Sequence, residues 1–211
     1  MFQRIFQFQI HRKIENNLKN LSSFTQKYLE AFCEDFETMI TPQKEEEWNK
    51  EIGACREEIA INLHKSRINT SLKVEKYKLF LRINYLLKRI QYFHHDLVEF
   101  KEELTDKEIQ TLKKLLKDVL KLTNNLQESI ECLYSDFIAA QQKLQLIEEN
   151  SQEILKQISA FKYPSPDKKM IWDPHKPAEI IGTTLREIIQ AIFLVKDKNA
   201  EIIEEFRQDT N

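Results

Sequence analysis

The sequence predicts an all-α fold, an elongated antiparallel helical bundle of five or six long helices with coiled-coil-like heptad packing. Two observations lead to this prediction. The 211 residues include only two glycines and five prolines, so the chain has little of the material that strand turns and linkers use. Within residues 109–158, apolar residues recur at alternating steps of three and four, and only Thr123 and Ser151 interrupt them. Such a seam is typical of a long helix packed lengthwise against partner helices.

Composition narrows the class of protein further. With 41% apolar and 31% charged residues the chain can form a core, and we expect residues 1–211 to be one all-helical domain. The net charge of −2 argues against nucleic acid as a dominant partner. The longest uncharged run, residues 188–195, has eight residues, which is too short to cross a bilayer. The absence of such a run and the three unpaired cysteines lead us to expect a cytoplasmic location.

The first two helices are predicted near residues 2–39 and 42–68. The second begins at Thr41-Pro42, because threonine is a good N-cap and proline suits the first helical position. The first helix carries an apolar stripe of Ile14, Leu18, Leu21, Tyr28, Phe32 and Phe36, and the second carries Trp48, Ile52, Cys55, Ile59 and Leu63.

The third and fourth helices are predicted near residues 72–104 and 106–161. The third has a second heptad seam, which is interrupted at Lys76. Thr105 and Glu108 have the spacing of a capping box and predict that the fourth helix starts at Asp106. We expect these two helices to form a tight antiparallel hairpin. Asn124-Asn125 is the weakest helix-forming point of the fourth helix, so we expect a bend or break there, leaving one helix or two nearly collinear ones.

Four of the five prolines lie in residues 163–177, which predicts one long proline-rich loop before a last helix near residues 178–208. That helix presents Ile181, Leu185, Ile188, Ile192, Val195, Ile202 and Phe206 on one face.

No residue pattern predicts an enzyme, a cofactor or a metal centre. His94-His95-Asp96 contains metal-ligand residue types, but adjacent helical residues point about 100° apart, so we do not expect a metal site. Cys33, Cys55 and Cys132 are widely spaced and lack a Cys-x-x-Cys pair, which favours a reducing compartment and a role as small core residues. We therefore expect no catalytic, cofactor-binding or metal residues, and the sequence leaves the binding residues open.

Charge is distributed unevenly along the first half of the chain. Residues 30–58 hold ten acidic residues against three basic ones, whereas residues 65–89 hold eight basic residues against Glu75, with Tyr77, Phe80 and Tyr85 between them. A basic helix with aromatic residues could contact anionic lipid. The competing interpretation, which we favour on sequence grounds, is that the acidic second helix packs beside the basic third and the two charges largely cancel.

The N-terminal segment is unusually apolar for a chain end, with Phe2, Ile5, Phe6, Phe8 and Ile10 beside Arg4, Arg12 and Lys13. It could lie on a membrane surface or continue from a spanning helix. A terminal helix docked on the bundle explains it equally well.

Trp172-Asp173-Pro174-His175, followed by Leu185-Arg186 in a helix, resembles the Trp-Glu-Pro and Leu-Arg pattern in soluble regions of the fusaric acid resistance and aluminium-activated malate transporter superfamily. The preceding long helices of low glycine content are also similar to that soluble region. The resemblance implies an excised or detached domain of a bacterial inner-membrane exporter of aromatic or other organic anions. Its implied role is scaffolding, assembly or gating beside a membrane domain of the same or another polypeptide.

A second hypothesis is a free-standing helical protein-interaction or scaffold protein that binds a partner helix through an uncovered seam. Homo-oligomerisation would be one form of this binding. The exporter hypothesis predicts membrane segments beside this region, and the scaffold hypothesis predicts a self-contained soluble chain.

Overall fold

A computed structural model of the chain describes residues 2–34, 36, 40–66, 70–162 and 176–209, without the side chains of residues 2–7, 70, 162 and 207–209. The described part consists of six α-helices and one short 3₁₀ turn at Lys101–Glu103. The predicted all-α fold is therefore confirmed. The helices are α1 (Phe2–Glu34), α2 (Pro42–Lys65), α3 (Thr70–Phe100), α4 (Asp106–Cys132), α5 (Phe137–Lys162) and α6 (Pro177–Asp209).

Threonine caps fix the starts of α2 and α4, as predicted. The hydroxyl of Thr41 accepts a hydrogen bond from the backbone N–H of Lys44 at 3.3 Å, and Pro42 follows as the first helical residue. Thr105 and Glu108 form a complete capping box, in which the Thr105 N–H donates to the Glu108 carboxylate at 2.8 Å. Both caps satisfy amide donors that would otherwise lack a partner at a helix start.

Four helices, α1, α3, α6 and α4, surround the central core, and each packs against the next. Helix α2 covers α1 from outside, and α5 packs against α4 and α6. Cross-helix contacts show that α1, α3 and α5 run one way and α2, α4 and α6 the other. The predicted α3–α4 hairpin is wrong: these helices occupy opposite corners of the core, because α1 and α6 lie between them.

The apolar seams predicted from spacing form this core. In α1, Ile14, Leu18 and Leu21 are fully buried, as are Ile83, Ile90 and Phe93 of α3. The α4–α5 seam and the α6 face are buried at most of their predicted positions. The spacing of apolar residues therefore identified the inward side of every long helix.

The prediction of a bend or break at Asn124-Asn125 is wrong as to the break, since both residues lie inside α4, and the bend stays a prediction. The chain turns at residues 133–136 instead, and α5 folds back antiparallel along α4, so the two helices are not collinear. Asp136 is the N-cap of α5, accepting a hydrogen bond from the Ala139 N–H at 3.0 Å. The seam continues through this turn because Leu133 is itself buried in the core. Asparagine in a helix costs a few tenths of a kcal/mol relative to a good helix former, and the burial of one flanking leucine is enough to offset that cost.

Other predicted boundaries differ at the helix ends. Helix α1 is described to Glu34, and Phe36 already lies in a turn, whereas residues 35 and 37–39 of the predicted helix lie outside the described residues; α2 ends at Lys65, with Ser66 as its C-cap, rather than at residue 68. Helix α3 is followed by the 3₁₀ turn at Lys101–Glu103, where its predicted last turn lay. Residues 163–175 of the predicted proline-rich loop lie outside the described residues. Pro177 opens α6, as proline's fixed φ favours.

The cap at Asp136 can be tested through stability. Replacing Asp136 by alanine leaves the Ala139 N–H without its side-chain acceptor, so the free energy of unfolding should fall by about 1 kcal/mol. Ser135→Ala is the matched control at the neighbouring exposed position and should change it little. Urea unfolding followed by circular dichroism measures both. Equal stability of the two variants would contradict the assignment of Asp136 as the cap.

Candidate functional site

Polar residues that interrupt the apolar seams are the starting point for a site. Thr123 and Ser151 are fully buried, and each hydroxyl donates to a carbonyl of its own helix, at Leu120 and Glu148 respectively. These two side chains are therefore satisfied locally and need no ligand. Lys76 differs, because an ammonium group cannot be satisfied by its own helix turn.

The Lys76 side chain is only 1% exposed, although lysine is rarely buried without a partner. Its Nζ lies 2.7 Å from Oε1 of Glu15 on α1 and 4.5 Å from the ring centroid of Tyr134. Burial lowers the pKa of Lys76, and the charge and hydrogen bond of Glu15 oppose that shift. The ammonium is thus held between one carboxylate and one aromatic face.

Lys76 forms part of the wall of a cavity of about 470 Å³ at the bundle end where α1, α3 and α5 begin. We call it the end cavity. Residues far apart in the sequence line it, contributed by α1, α3, α5, α6 and the turn before α5: Phe8, His11, Arg12, Glu15, Leu72, Lys76, Tyr134, Phe137 and Phe206. It therefore exists only because these elements meet at one end of the bundle.

The end cavity has an excess of positive charge. Arg12 and Lys76 are cationic and Glu15 is anionic, while burial and the nearby Lys76 charge lower the pKa of His11 and favour its neutral form. The hydroxyl of Tyr134 is buried and has no hydrogen-bond partner in the part of the chain that the structure describes. Burial, with the Glu15 charge second, raises the pKa of Tyr134, so this hydroxyl stays protonated and able to donate.

A buried charge network lies nearby, between α3 and α6. Glu75 accepts from Lys78 at 2.7 Å and from Lys198 of α6, and Lys198 also bonds Glu201. Burial acts to raise the pKa of Glu75, but the bonds from Lys198 and Lys78 outweigh it, and the pKa is lowered. These charged groups pair with one another, so the network joins α3 to α6 and offers no unpaired charge to a ligand.

The outward side of α3 carries large apolar side chains at helical spacing. We define the α3 outer face as five residues, each between 38% and 52% exposed: Val74, Tyr77, Leu81, Tyr85 and Tyr92. Lys78, Arg82, Lys88 and Arg89 lie among them. Arg89 stacks on Tyr85 and Tyr92, with distances to the ring centroids of 5.0 and 5.7 Å. An exposed apolar stripe of this kind marks an interaction surface more often than a scattered apolar residue does.

The expected cancellation of charge between α2 and α3 is not what their contacts provide. The contacts from α2 to α3 join Arg56 with Asn84, Asn49 with Gln91 and Glu45 with His94, so within the described residues no lysine or arginine of α3 pairs with an acidic residue of α2. The basic residues of α3 pair instead with Glu15, Glu75 and Glu187. Arg82 and Lys88 are exposed and form no ion pair within the described part of the chain.

The candidate metal residues His94, His95 and Asp96 diverge. His94 is 4% exposed and stacks on Phe32, His95 is exposed, and Asp96 accepts from the Thr184 hydroxyl of α6. Within the described residues, no three His, Cys, Asp or Glu side chains are grouped so that they could hold a metal ion.

The three cysteines are half-buried and reduced. All three pack against the core, as predicted. Burial raises the pKa of Cys33 to about 11 and also raises that of Cys55, so neither thiol is activated as a nucleophile.

The apolar N-terminal segment divides in two. Ile10 is buried in the core, whereas Phe8 is 67% exposed at the rim of the end cavity. The side chains of Phe2, Ile5 and Phe6 lie outside the described residues. No helix in the described ranges is both long and apolar enough to cross a lipid bilayer.

Comparisons with protein families, with curated proteins and with solved structures found no match for this chain. The resemblance to the exporter superfamily therefore gains no support from them and stays a prediction. Of its motif residues, 172–175 lie outside the described part of the chain. Leu185 is buried and Arg186 is exposed on α6, as in any amphipathic helix.

Sequence reasoning singled out Lys76 and the basic aromatic segment but did not find the end cavity. Tyr134 was not recognised, because the turn that contains it lies inside an uninterrupted apolar seam. Phe137 and Phe206 were assigned to helix faces with no sign that they meet, although their rings stack with centroids 5.4 Å apart. The one available signal was the lysine at a seam position.

The buried His94 makes stability depend on pH. Burial lowers the pKa of His94 from 6.5. Glu45 on α2, 3.5 Å from His94, opposes this shift, whereas the neighbouring His95 acts in the same direction as burial. An unfolded chain then binds a proton near pH 6.5 that the folded chain does not, so stability should be full above that pH and fall below it. We expect the urea midpoint to decrease between pH 7.5 and 5.5.

His94→Gln should reduce this dependence on pH, and His64→Gln, at an exposed position of α2, should leave it unchanged. Some dependence should remain in both variants, because burial also lowers the pKa of His11. An identical pH profile for His94→Gln and the unaltered protein would contradict the assignment.

Proposed function

We propose that this protein is a stiff helical scaffold that docks on an anionic lipid surface through the α3 outer face. The proposal rests on one observation. An exposed side of α3 combines five large apolar residues with cations that form no ion pair with the acidic residues of α2. Apolar burial and attraction to anionic lipid together bind such a face to a membrane surface.

The dimensions of the α3 outer face suit a flat surface. From Val74 to Tyr92 the helix rises about 27 Å, at about 1.5 Å per residue. Tyrosine is well placed at a lipid–water interface, since its ring is apolar and its hydroxyl is polar. Arg82 and Lys88 can reach headgroups while their stems cover apolar surface.

Charge favours lipid over an acidic protein helix as the occupant. Lys88 lies in the middle of the stripe, where a partner helix packed along α3 would cover it and remove its water. At a bilayer the same side chain extends to the headgroups and remains hydrated. Binding to an acidic protein without lipid is therefore an outcome that would replace this proposal.

The exporter-domain hypothesis is a second candidate, and one geometric feature favours it. Because the six helices alternate in direction, the start of α1 and the end of α6 lie at the same end of the bundle. A domain inserted between two membrane segments requires that arrangement. Detection of the native product at high mass in a membrane fraction would support this candidate, and a soluble species near 25.3 kDa would contradict it.

Charge reversal tests the lipid proposal. The double variant Arg82→Glu/Lys88→Glu should lower affinity for phosphatidylcholine vesicles containing phosphatidylserine by at least about tenfold, since each cation near such a surface contributes about 1 kcal/mol. The measurement is co-sedimentation with vesicles at low and at high salt. Binding by the unaltered protein should weaken as salt rises.

The matched control is Lys114→Glu/Lys117→Glu on α4, whose exposed side is also basic but carries none of the large exposed apolar residues. It makes the same change in net charge and should leave most of the binding intact. Equal loss in both double variants would mean that total charge matters and the α3 outer face does not, and the proposal would fail.

The apolar contribution has its own test. Leu81→Ser/Tyr92→Ser removes two exposed apolar side chains and keeps every charge, so vesicle affinity should fall several-fold while the thermal midpoint hardly changes. Unchanged vesicle affinity would show that the attraction is electrostatic only, and would contradict docking of the apolar stripe.

A further inference from the structure

We infer that the end cavity binds a small carboxylate with an apolar aliphatic body, of the size of a medium-chain fatty acid. Nothing in this inference depends on the α3 outer face, because the two surfaces share no residue. Three features of the cavity carry it: its charge, one unused hydrogen-bond donor and its apolar walls.

The charge of the lining selects an anion. Two cations, Arg12 and Lys76, face one anion, Glu15, and His11 is held towards its neutral form by burial. Arg12 lies on the exposed side and has no ion pair within the described residues, whereas Lys76 lies deeper and is already bonded to Glu15 at 2.7 Å. An incoming carboxylate can pair with Arg12 directly and share Lys76 with Glu15.

The Tyr134 hydroxyl is the unused donor. It is buried and has no partner among the described residues, and Tyr134 is one of the residues that line the cavity. A buried hydroxyl without a hydrogen bond costs free energy, and a ligand oxygen placed beside it recovers that cost. The ring centroid of Tyr134 lies 4.5 Å from Lys76 Nζ, so the donor and the cation belong to two side chains that are in contact and both line the cavity.

The remaining wall is apolar and determines the body of the ligand. Phe137 and Phe206 stack on each other, and Tyr134 meets Phe206 edge-on with centroids 6.1 Å apart. These rings present apolar surface to the cavity, and such a surface suits a flexible aliphatic chain. Phe8 and Leu72 complete the wall. A volume of about 470 Å³ lies within the usual range for small-molecule sites.

Three ligands with the same chain and different heads test the inference on the unaltered protein. Isothermal titration calorimetry with octanoate, octanol and octylammonium should give measurable binding of octanoate, with the other two at least about tenfold weaker. Octanol binding as tightly as octanoate, or no binding of octanoate, would overturn the inference.

Substitutions with opposite expected signs locate the binding. Lys76→Met removes the cation and keeps an unbranched side chain, so octanoate affinity should fall; Glu15→Gln removes the competing carboxylate, so affinity should rise. A purely structural role for the pair would lower affinity in both variants and would contradict the inference. Lys198→Met is the control, because Lys198 is also a buried, ion-paired lysine but is not among the residues that line the cavity.

If Lys76→Met fails to fold, Arg12→Gln at the exposed rim replaces it as the decisive variant and should weaken octanoate binding at least about tenfold relative to octanol. Undiminished binding in Arg12→Gln would overturn the inference. Each variant is also measured on phosphatidylserine vesicles, where Lys76→Met and Glu15→Gln should behave like the unaltered protein. Loss of vesicle binding alone would count against the α3 outer face and leave the end cavity standing.

Discussion

The simultaneous burial of six apolar helix stripes is the constraint on which this structure depends. Each stripe follows the three–four spacing of its helix and must face another stripe along most of its length. With helices that alternate in direction, the chain meets this constraint through a four-helix core flanked by α2 and α5. Everything else, including where the two candidate surfaces lie, follows from which sides of the helices remain outside.

Spacing and capping chemistry predicted the helical segments, but neither the turn that separates α4 from α5 nor the packing partners of the helices. The side chains of Thr41 and Thr105 cap the helices that follow them, so the sequence predicts these two helix starts. Both predicted starts are confirmed. The turn before Asp136 was missed because its cap has neither glycine nor proline beside it and because Leu133 continues the seam through the core. A heptad seam does not indicate which helix it packs against. For that reason the sequence could not show whether α3 and α4 pack against each other.

The candidate sites show the same division. Lys76 and the basic aromatic character of α3 were visible in the sequence, since a charge in a seam and aromatic residues among cations break the expected pattern. The cavity around Lys76 was not visible in the sequence, because Phe206 is far from Tyr134 and Phe137 along the chain and comes close to them only in the folded structure. Exposure of the α3 outer face also required the structure, because it depends on α2 lying to one side of α3 and leaving the face uncovered.

Helix α3 departs in two ways from a helix optimised for stability, because it buries a charged group and exposes large apolar ones. It buries an ammonium at Lys76, where an apolar residue of similar volume is commonly as stable or more so. It also exposes Tyr77, Leu81 and Tyr92, where charged residues would raise solubility. By contrast, Thr123 and Ser151, which interrupt the seam of α4 and α5, are each satisfied by a carbonyl of their own helix. Departures of both kinds in a single helix are expected where a surface is kept for binding, and this is the reason for placing both proposals on or beside α3.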